Sequence, residues 1–206
     1  MRHGDLFKHE RARGVRSTLR LAVLGGLLAL VAAGAAVAAL RGDASTQASD
    51  TLVIGNAVKI DTLDPANNSV NESIWLTQNI YNRLVQPNKS GTALQPDLAT
   101  SWDISKNGLV YTFHLRKASF SDGSPITAED VRFSIDRSMK YKGGWGFLLE
   151  SVKSLKAPNA QTLVVTLKRP HAPLLADLAM YAYAIVPKKL VQAQGAKFFN
   201  KPVSGG

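Results

Sequence analysis

The distribution of apolar positions changes character several times along this chain. Residues 21–40, LAVLGGLLALVAAGAAVAAL, contain no polar side chain and no polar face. A helix that is apolar all round belongs in a protein core or a membrane. Residues 51–55 (TLVIG) form a short apolar run closed by glycine, which predicts a buried first strand. Ile74, Thr77, Ile80, Tyr81 and Leu84 then recur at spacings of three and four, predicting an amphipathic helix capped by Asn71 or Ser73. Residues 86–91 read as a turn. Residues 98–103, bearing Trp102, and an alternating run in which Tyr111, Phe113 and Leu115 oppose Val110, Thr112 and His114 predict two strands. Asn107-Gly108 between them is a hairpin turn, and His114 falls on the outer face.

A second tight turn is expected at Asp122-Gly123. Thr127-Ala128-Glu129-Asp130 opens a helix as a capping box, with Val131, Ile135 and Met139 or Ser138 as its buried stripe. Residues 152–155 and 163–167 predict a strand pair across a turn at 157–161. A short helix at 174–180, a strand at 184–186 and a helix that starts at Pro187 and stops at Gly195 complete the pass. Hairpins outnumber βαβ units, so the expected fold class is mixed α+β.

Composition narrows the function. The chain has 206 residues, 45% of them hydrophobic, enough for one domain with a core. It has no cysteine, which excludes disulfides, thiolate metal sites, a cysteine nucleophile and a lipoprotein anchor. Net charge is +10, but residues 1–48 hold seven basic and three acidic residues, and the remaining 18 basic and 12 acidic residues are scattered. This describes a solvated basic surface, and no nucleic-acid partner is expected.

Arg11, Arg13, Arg16 and Arg20 precede the apolar run, the order of an export signal. The run is also long enough to span a membrane. Small-x-small sites at Ala36-Val37-Ala38 and Thr46-Gln47-Ala48 offer cleavage points. A cleaved signal and an uncleaved anchor both fit, and both place residues from about 50 onward outside the cytoplasm. The expected organisation is a basic cytoplasmic flank at 1–20, a signal h-region or anchor helix at 21–40, a linker at 41–50 and the folded domain at 51–206. The location is the periplasmic or extracellular face of the cytoplasmic membrane.

Catalytic chemistry finds little support. His114 and His171 lie in different elements without ligand spacing, and no metal or cofactor is expected. Ser119, Ser121, Asp122 and His114 could be assembled into a hydrolase triad only on paper, since the turn already explains Asp122. The protein is read as not an enzyme. Ligand contact is the better expectation, on Asn67, Asn68, Ser69, Asn71 and Glu72, which are rich in donors and acceptors. A plain polar surface loop accounts for them equally well. Tyr141 and Trp145, set among glycines, are the second candidate, as aromatics able to close over a ligand. Their alternative role is to cover the core.

The segment at 98–137 also resembles a known family. Leu63-Asp64-Pro65, Leu98-Ala99-x-Ser101-Trp102, Tyr111-Thr112-Phe113-x-Leu115-Arg116 and Phe120-x-Asp122-Gly123-x-Pro125-x-Thr127-Ala128-Glu129-Asp130-Val131 are similar to signature stretches of the family 5 solute-binding proteins. These are extracytoplasmic receptors of ABC importers for peptides, nickel and related solutes. The resemblance implies a type II periplasmic-binding-protein-like architecture, of which this chain would hold the beginning of lobe one and most of its inserted subdomain. Residues 202–206 resemble a family stretch that breaks off midway, so a truncated sequence is expected. By position, 67–72 matches a ligand-facing segment of peptide-binding members. The resemblance implies a peptide or other small solute, ABC permease subunits as partners, a monomer, and lobe closure without chemistry. The alternatives are a membrane-tethered sensor or interaction module on the same fold, and a fragment that binds nothing.

Overall fold

The structure, a computed structural model, describes Gly55 and residues 59–205. The apolar run at 21–40, its flanks and all but the last residue of the strand expected at 51–55 lie outside the described residues. Four α-helices, six strands and several 3₁₀ turns are present among the described residues: α1 (Asn71–Ile80), β1 (Val85–Pro87), β2 (Leu94–Pro96), β3 (Ala99–Ile104), β4 (Val110–Leu115), α2 (Ala128–Lys140), β5 (Val152–Asn159), β6 (Thr162–Leu167), α3 (Leu174–Leu178) and α4 (Lys188–Gln194). The α+β class is as expected.

β3, β4, β6 and β5 form one antiparallel sheet in that order, while β1 and β2 pair as a separate ribbon. The turn at Asn107-Gly108 sets the β3–β4 register, with Trp102 opposite Phe113 and Gly108 at φ 68°. Alternation then sends Tyr111, Phe113 and Leu115 of β4 and Leu163, Val165 and Leu167 of β6 to the buried face. Helix α2 packs on β5 and β6, with Ala128, Val131 and Ile135 buried. Burying a side chain such as Phe113 contributes about 2–3 kcal/mol.

The capping box at Thr127 is present, with the Asp130 carboxylate accepting from the Thr127 amide at 3.0 Å. It fixes where α2 begins, and Arg137 and Lys140 suit the negative end of its dipole. The second buried face of α2 is polar and small. The Ser138 hydroxyl donates to the Ala182 carbonyl at 2.6 Å. Ser134 Oγ accepts from the Val186 amide at 3.0 Å, and Asp130 accepts from the Lys188 amide at 3.0 Å. These bonds explain a departure from expectation. Residues 184–186 are extended but join no sheet, because helix side chains and the Asn82 carbonyl (2.8 Å from the Ile185 amide) take up their backbone groups.

Other boundaries also move. Val70 caps α1 without a side-chain bond, Asn71 is its first residue, and Ser73 is buried with its hydroxyl donating to Asp61 at 2.7 Å. Leu84 lies beyond the helix, in the core. Pro187 is the cap of α4 rather than its first residue. The turn expected at 86–91 belongs to the β1–β2 ribbon, whose two prolines mask it in the sequence. The turn at Asp122-Gly123 forms, and Ser121 exchanges two 3.0 Å bonds with Ser204, tying the 202–205 segment to it.

One ion pair ties the start of the described region to α2. Arg137 forks onto the buried Asp64 carboxylate, donating through Nη1 at 2.7 Å and also through Nη2. The ring of Phe199 covers the guanidinium at 4.9 Å. Replacing Arg137 by Met leaves Asp64 buried without its partner. The expected loss is on the order of 3 kcal/mol in urea denaturation of the full chain.

A second polar link joins α2 to α4. Glu129 accepts from Arg132 and from Lys188, each at 2.7 Å, and these bonds lower its pKa from 4.5 to about 2. A carboxyl held below its ordinary value favours the folded state above pH 4.5 and loses that contribution as pH falls toward 2. The melting temperature should therefore drop across this window. Glu129→Gln should remove part of the drop in acid thermal melts, a modest part because the carboxylate is partly solvated.

Candidate functional site

The two segments singled out for ligand contact are 69 or more residues apart in the chain, yet the fold brings parts of both to one place. Asp64, extended before Pro65, caps a 3₁₀ turn at Pro65–Asn67 by accepting from the Ala66 amide at 3.0 Å. The chain then enters the 67–70 loop, which is clamped from inside. Asn68 is 2% exposed, and its amide donates to Thr77 Oγ1 of α1 at 3.3 Å. Its carbonyl accepts from the Tyr181 hydroxyl at 3.1 Å. With Asn68 turned inward, Asn67, Ser69 and Asn71 are exposed and Glu72 is half-buried.

The 141–147 loop arrives beside it. Trp145 is half-buried, and its ring meets Tyr181 edge-on at 6.2 Å and Phe147 at 5.8 Å. Its carbonyl accepts from the Tyr183 hydroxyl at 2.6 Å. Tyr141 caps the end of α2, where Arg137 lies over its ring at 5.9 Å. The glycines here serve close packing. A Cβ on Gly144 would stand 3.0 Å from the Ala66 carbonyl oxygen, and one on Gly146 would stand 2.2 Å from that of Met139. The backbone of the loop is thus seated against the 3₁₀ turn and α2, and its aromatics are carried on a fixed support rather than on the free hinge that the glycines suggest in the sequence.

Tyr181 and Tyr183 are the residues that sequence reasoning missed. They follow α3 in a 3₁₀ turn and are 8% and 1% exposed. One hydroxyl holds the 67–70 loop and the other the 141–147 loop. Burial pushes both phenols above their ordinary pKa, so each stays a neutral donor. The result is a ledge with Asn67, Ser69 and Asn71 on one side, Trp145 and the exposed Phe147 on the other, and Tyr181 beneath. Such a surface can offer hydrogen bonds to amide groups and apolar contact to side chains. It holds no nucleophile activated by a base.

The paper triad does not assemble. His114 is bonded to Asp103 at 2.8 Å on the outer face of the sheet, and Asp122 accepts from Ser124 within its own turn at 2.6 Å. His171 is held by Asp177 at 2.6 Å. Among the described residues no group of three or more His, Asp and Glu side chains could hold a metal ion. No described helix is long and apolar enough to cross a membrane.

Comparison with known proteins settles the family. Residues 93–206, more than half of the chain, match the family of bacterial extracellular solute-binding proteins, family 5 (middle region). The chain belongs to this family. It is a family of solute-binding proteins, not of enzymes. A relative in Escherichia coli K12 named "Probable D,D-dipeptide-binding periplasmic protein DdpA" is 36% identical over 152 residues, 71% of this chain and 30% of its own. A solved structure of the ABC transporter-associated periplasmic binding protein DppA of Helicobacter pylori, in complex with the peptide STSA, has a TM-score of 0.62 and 35% identity, covering 70% of this chain and 33% of that one. The binding protein MoaA of A. tumefaciens R10, in complex with mannopinic acid, has a TM-score of 0.67 and 30% identity over 70% of this chain and 31% of its own. The family 5 chain described here thus spans about a third of the length of these relatives.

Removing one hydroxyl tests the support beneath the ledge. Tyr181→Phe leaves the Asn68 carbonyl without its buried donor, and the expected cost is about 1–2 kcal/mol in urea denaturation. The intrinsic fluorescence of Trp145 should change in the folded baseline, because its edge-on neighbour loses its anchor.

Proposed function

We propose that this chain forms part of the extracytoplasmic solute-binding component of an ABC importer, and that its solute is a peptide. The observation that carries the reading is the convergence of the 67–72 segment and the Trp145 loop on Tyr181. Outward Asn and Ser side chains suit the amide groups of a peptide backbone, and the neighbouring aromatic rings suit its side chains. Asn67, Asn68, Ser69, Asn71, Glu72 and Trp145 are the proposed contacts, with Asn68 acting by shaping the loop. Tyr141 contributes as the brace between α2 and the loop. The relatives named above, one called dipeptide-binding and one holding the peptide STSA, support the choice of peptide. Mannopinic acid, held by a third, is a different solute on a similar framework.

The proposed mechanism needs no bond to be made or broken. Two lobes close on the solute because the closed state binds it better than the open state, and the closed form then docks on the permease subunits as a monomer. The basic flank and apolar run in the sequence of the N-terminus support an extracytoplasmic location for the domain, whether that run is cleaved or kept as an anchor.

Isothermal titration of the full-length gene product with di-, tri- and pentapeptides tests this reading. Saturable binding is expected, weakened roughly tenfold or more by Trp145→Ala and by Asn71→Ala. A folded, cooperatively melting protein that binds no peptide of any length would overturn it.

A further inference from the structure

A pocket of about 470 Å³ opens between α1, the β1–β2 ribbon and α3. Gln78, Arg83, Thr92, Ala176, Met180 and Tyr181 contribute to its wall, and among the described residues no Asp or Glu does. Among the described residues Arg83 is its one charged residue. The Nη1 group of Arg83 donates to the Ala179 carbonyl at 3.0 Å, while Nε is buried without a partner. Arg83 forms no ion pair among the described residues. The carboxylate of Asp97 is occupied elsewhere, by the Asn82 side chain at 2.8 Å and by the backbone amide of Arg83 at 2.7 Å. Burial holds the Arg83 pKa below its ordinary value, with Asp97 opposing that shift.

A guanidinium carries five donors in a rigid fork that matches carboxylate and phosphate groups. Here the protein satisfies one terminal nitrogen, buries Nε without a partner and sets the guanidinium at the wall of a cleft to which no described Asp or Glu contributes, the Asp97 carboxylate nearby being engaged by its own partners. Gln78 and Thr92 add neutral donors at the wall. The outer wall is the tip of the ribbon, where Gly91, Thr92 and Ala93 are exposed and space is open beside Gly91. The geometry points to an oxyanion site in this pocket, with Arg83 as its charged anchor and a carboxylate- or phosphate-bearing small molecule as its ligand. The site stands apart from the peptide reading, since neither Arg83 nor the ribbon belongs to the ledge. The two share Tyr181 as a wall, so an anion at Arg83 is felt by the ring that supports Trp145.

The test uses the full-length gene product labelled with nitrogen-15. Inorganic phosphate and, separately, acetate are titrated at ionic strength held constant with sodium chloride, following the Arg83 Nε–H resonance and tryptophan emission. The expected result is a saturable shift of that resonance with at least one anion. A response to phosphate alone identifies a phosphate site, a response to acetate alone a carboxylate site, and a response to both a general oxyanion site. Arg83→Gln should weaken the saturable emission change on the order of tenfold or more. Ala93→Glu places a carboxylate at the rim without disturbing the Arg83–Ala179 bond. It should weaken binding equally while keeping the melting temperature. The proposal is overturned if neither anion gives more than the chloride response, or if Ala93→Glu binds as the parent does.

Discussion

The ion pair between Asp64 and Arg137 holds together parts of the molecule that lie far apart in the chain. Asp64 is buried and serves two masters: it caps its own 3₁₀ turn and receives the fork of Arg137. Arg137 in turn lies over Tyr141 and Phe199. The turn, the last turns of α2, the loop that follows it and the aromatic cluster of Tyr81, Phe198 and Phe199 therefore share one charged centre. A buried charge pair is a weak source of net stability but a strong determinant of geometry, because either partner alone is penalised in any other arrangement. The ledge inherits its position from this centre, since Asn68 follows Asp64 by four residues and Trp145 follows Arg137 by eight.

Helix α2 does different work on its two sides. Toward the sheet it presents Val131 and Ile135 to an apolar layer, where shape alone decides the fit. Toward 182–188 it presents Ser134, Ser138 and Asp130, which meet backbone groups that would otherwise belong to a strand. That second side lets Tyr181 and Tyr183 sit between helix and loops, with hydroxyls aimed at two carbonyls. A segment held by side chains rather than by a ladder can place neighbouring tyrosines on different targets, whereas a strand would force strict alternation.

What the sequence revealed was local. The Asn107-Gly108 hairpin, the Asp122-Gly123 turn and the Thr127 capping box are each set by residues within four positions of one another, and each is where the pattern put it. Residues 184–186 have the composition of a strand, and Ser134, 52 residues before Val186, together with the Asn82 carbonyl, decides otherwise. The ribbon of β1 and β2 was hidden because each strand has three residues and ends in proline. At the site, the donor-rich loop and Trp145 were visible as composition. Their common support was not, because a phenol bonded to a backbone carbonyl leaves no trace at the partner's position. The inward turn of Asn68 among outward neighbours was equally invisible, since Asn67 and Asn68 are the same residue type.

The distance along the chain between Asp64 and its partner has a consequence for synthesis. The two are 73 positions apart. The β3–β4 hairpin and the cap of α2 need only near neighbours and can form as soon as their own residues are free. A chain delivered from its N-terminus, through a ribosome or a translocation channel, presents the Asp64 turn well before Arg137 exists on the same side. During that interval the carboxylate must stay in water, and α1 has no fixed seat. The first described segment to emerge is therefore among the last to dock, and the loop that carries Asn68 takes its shape only after α2 has been released.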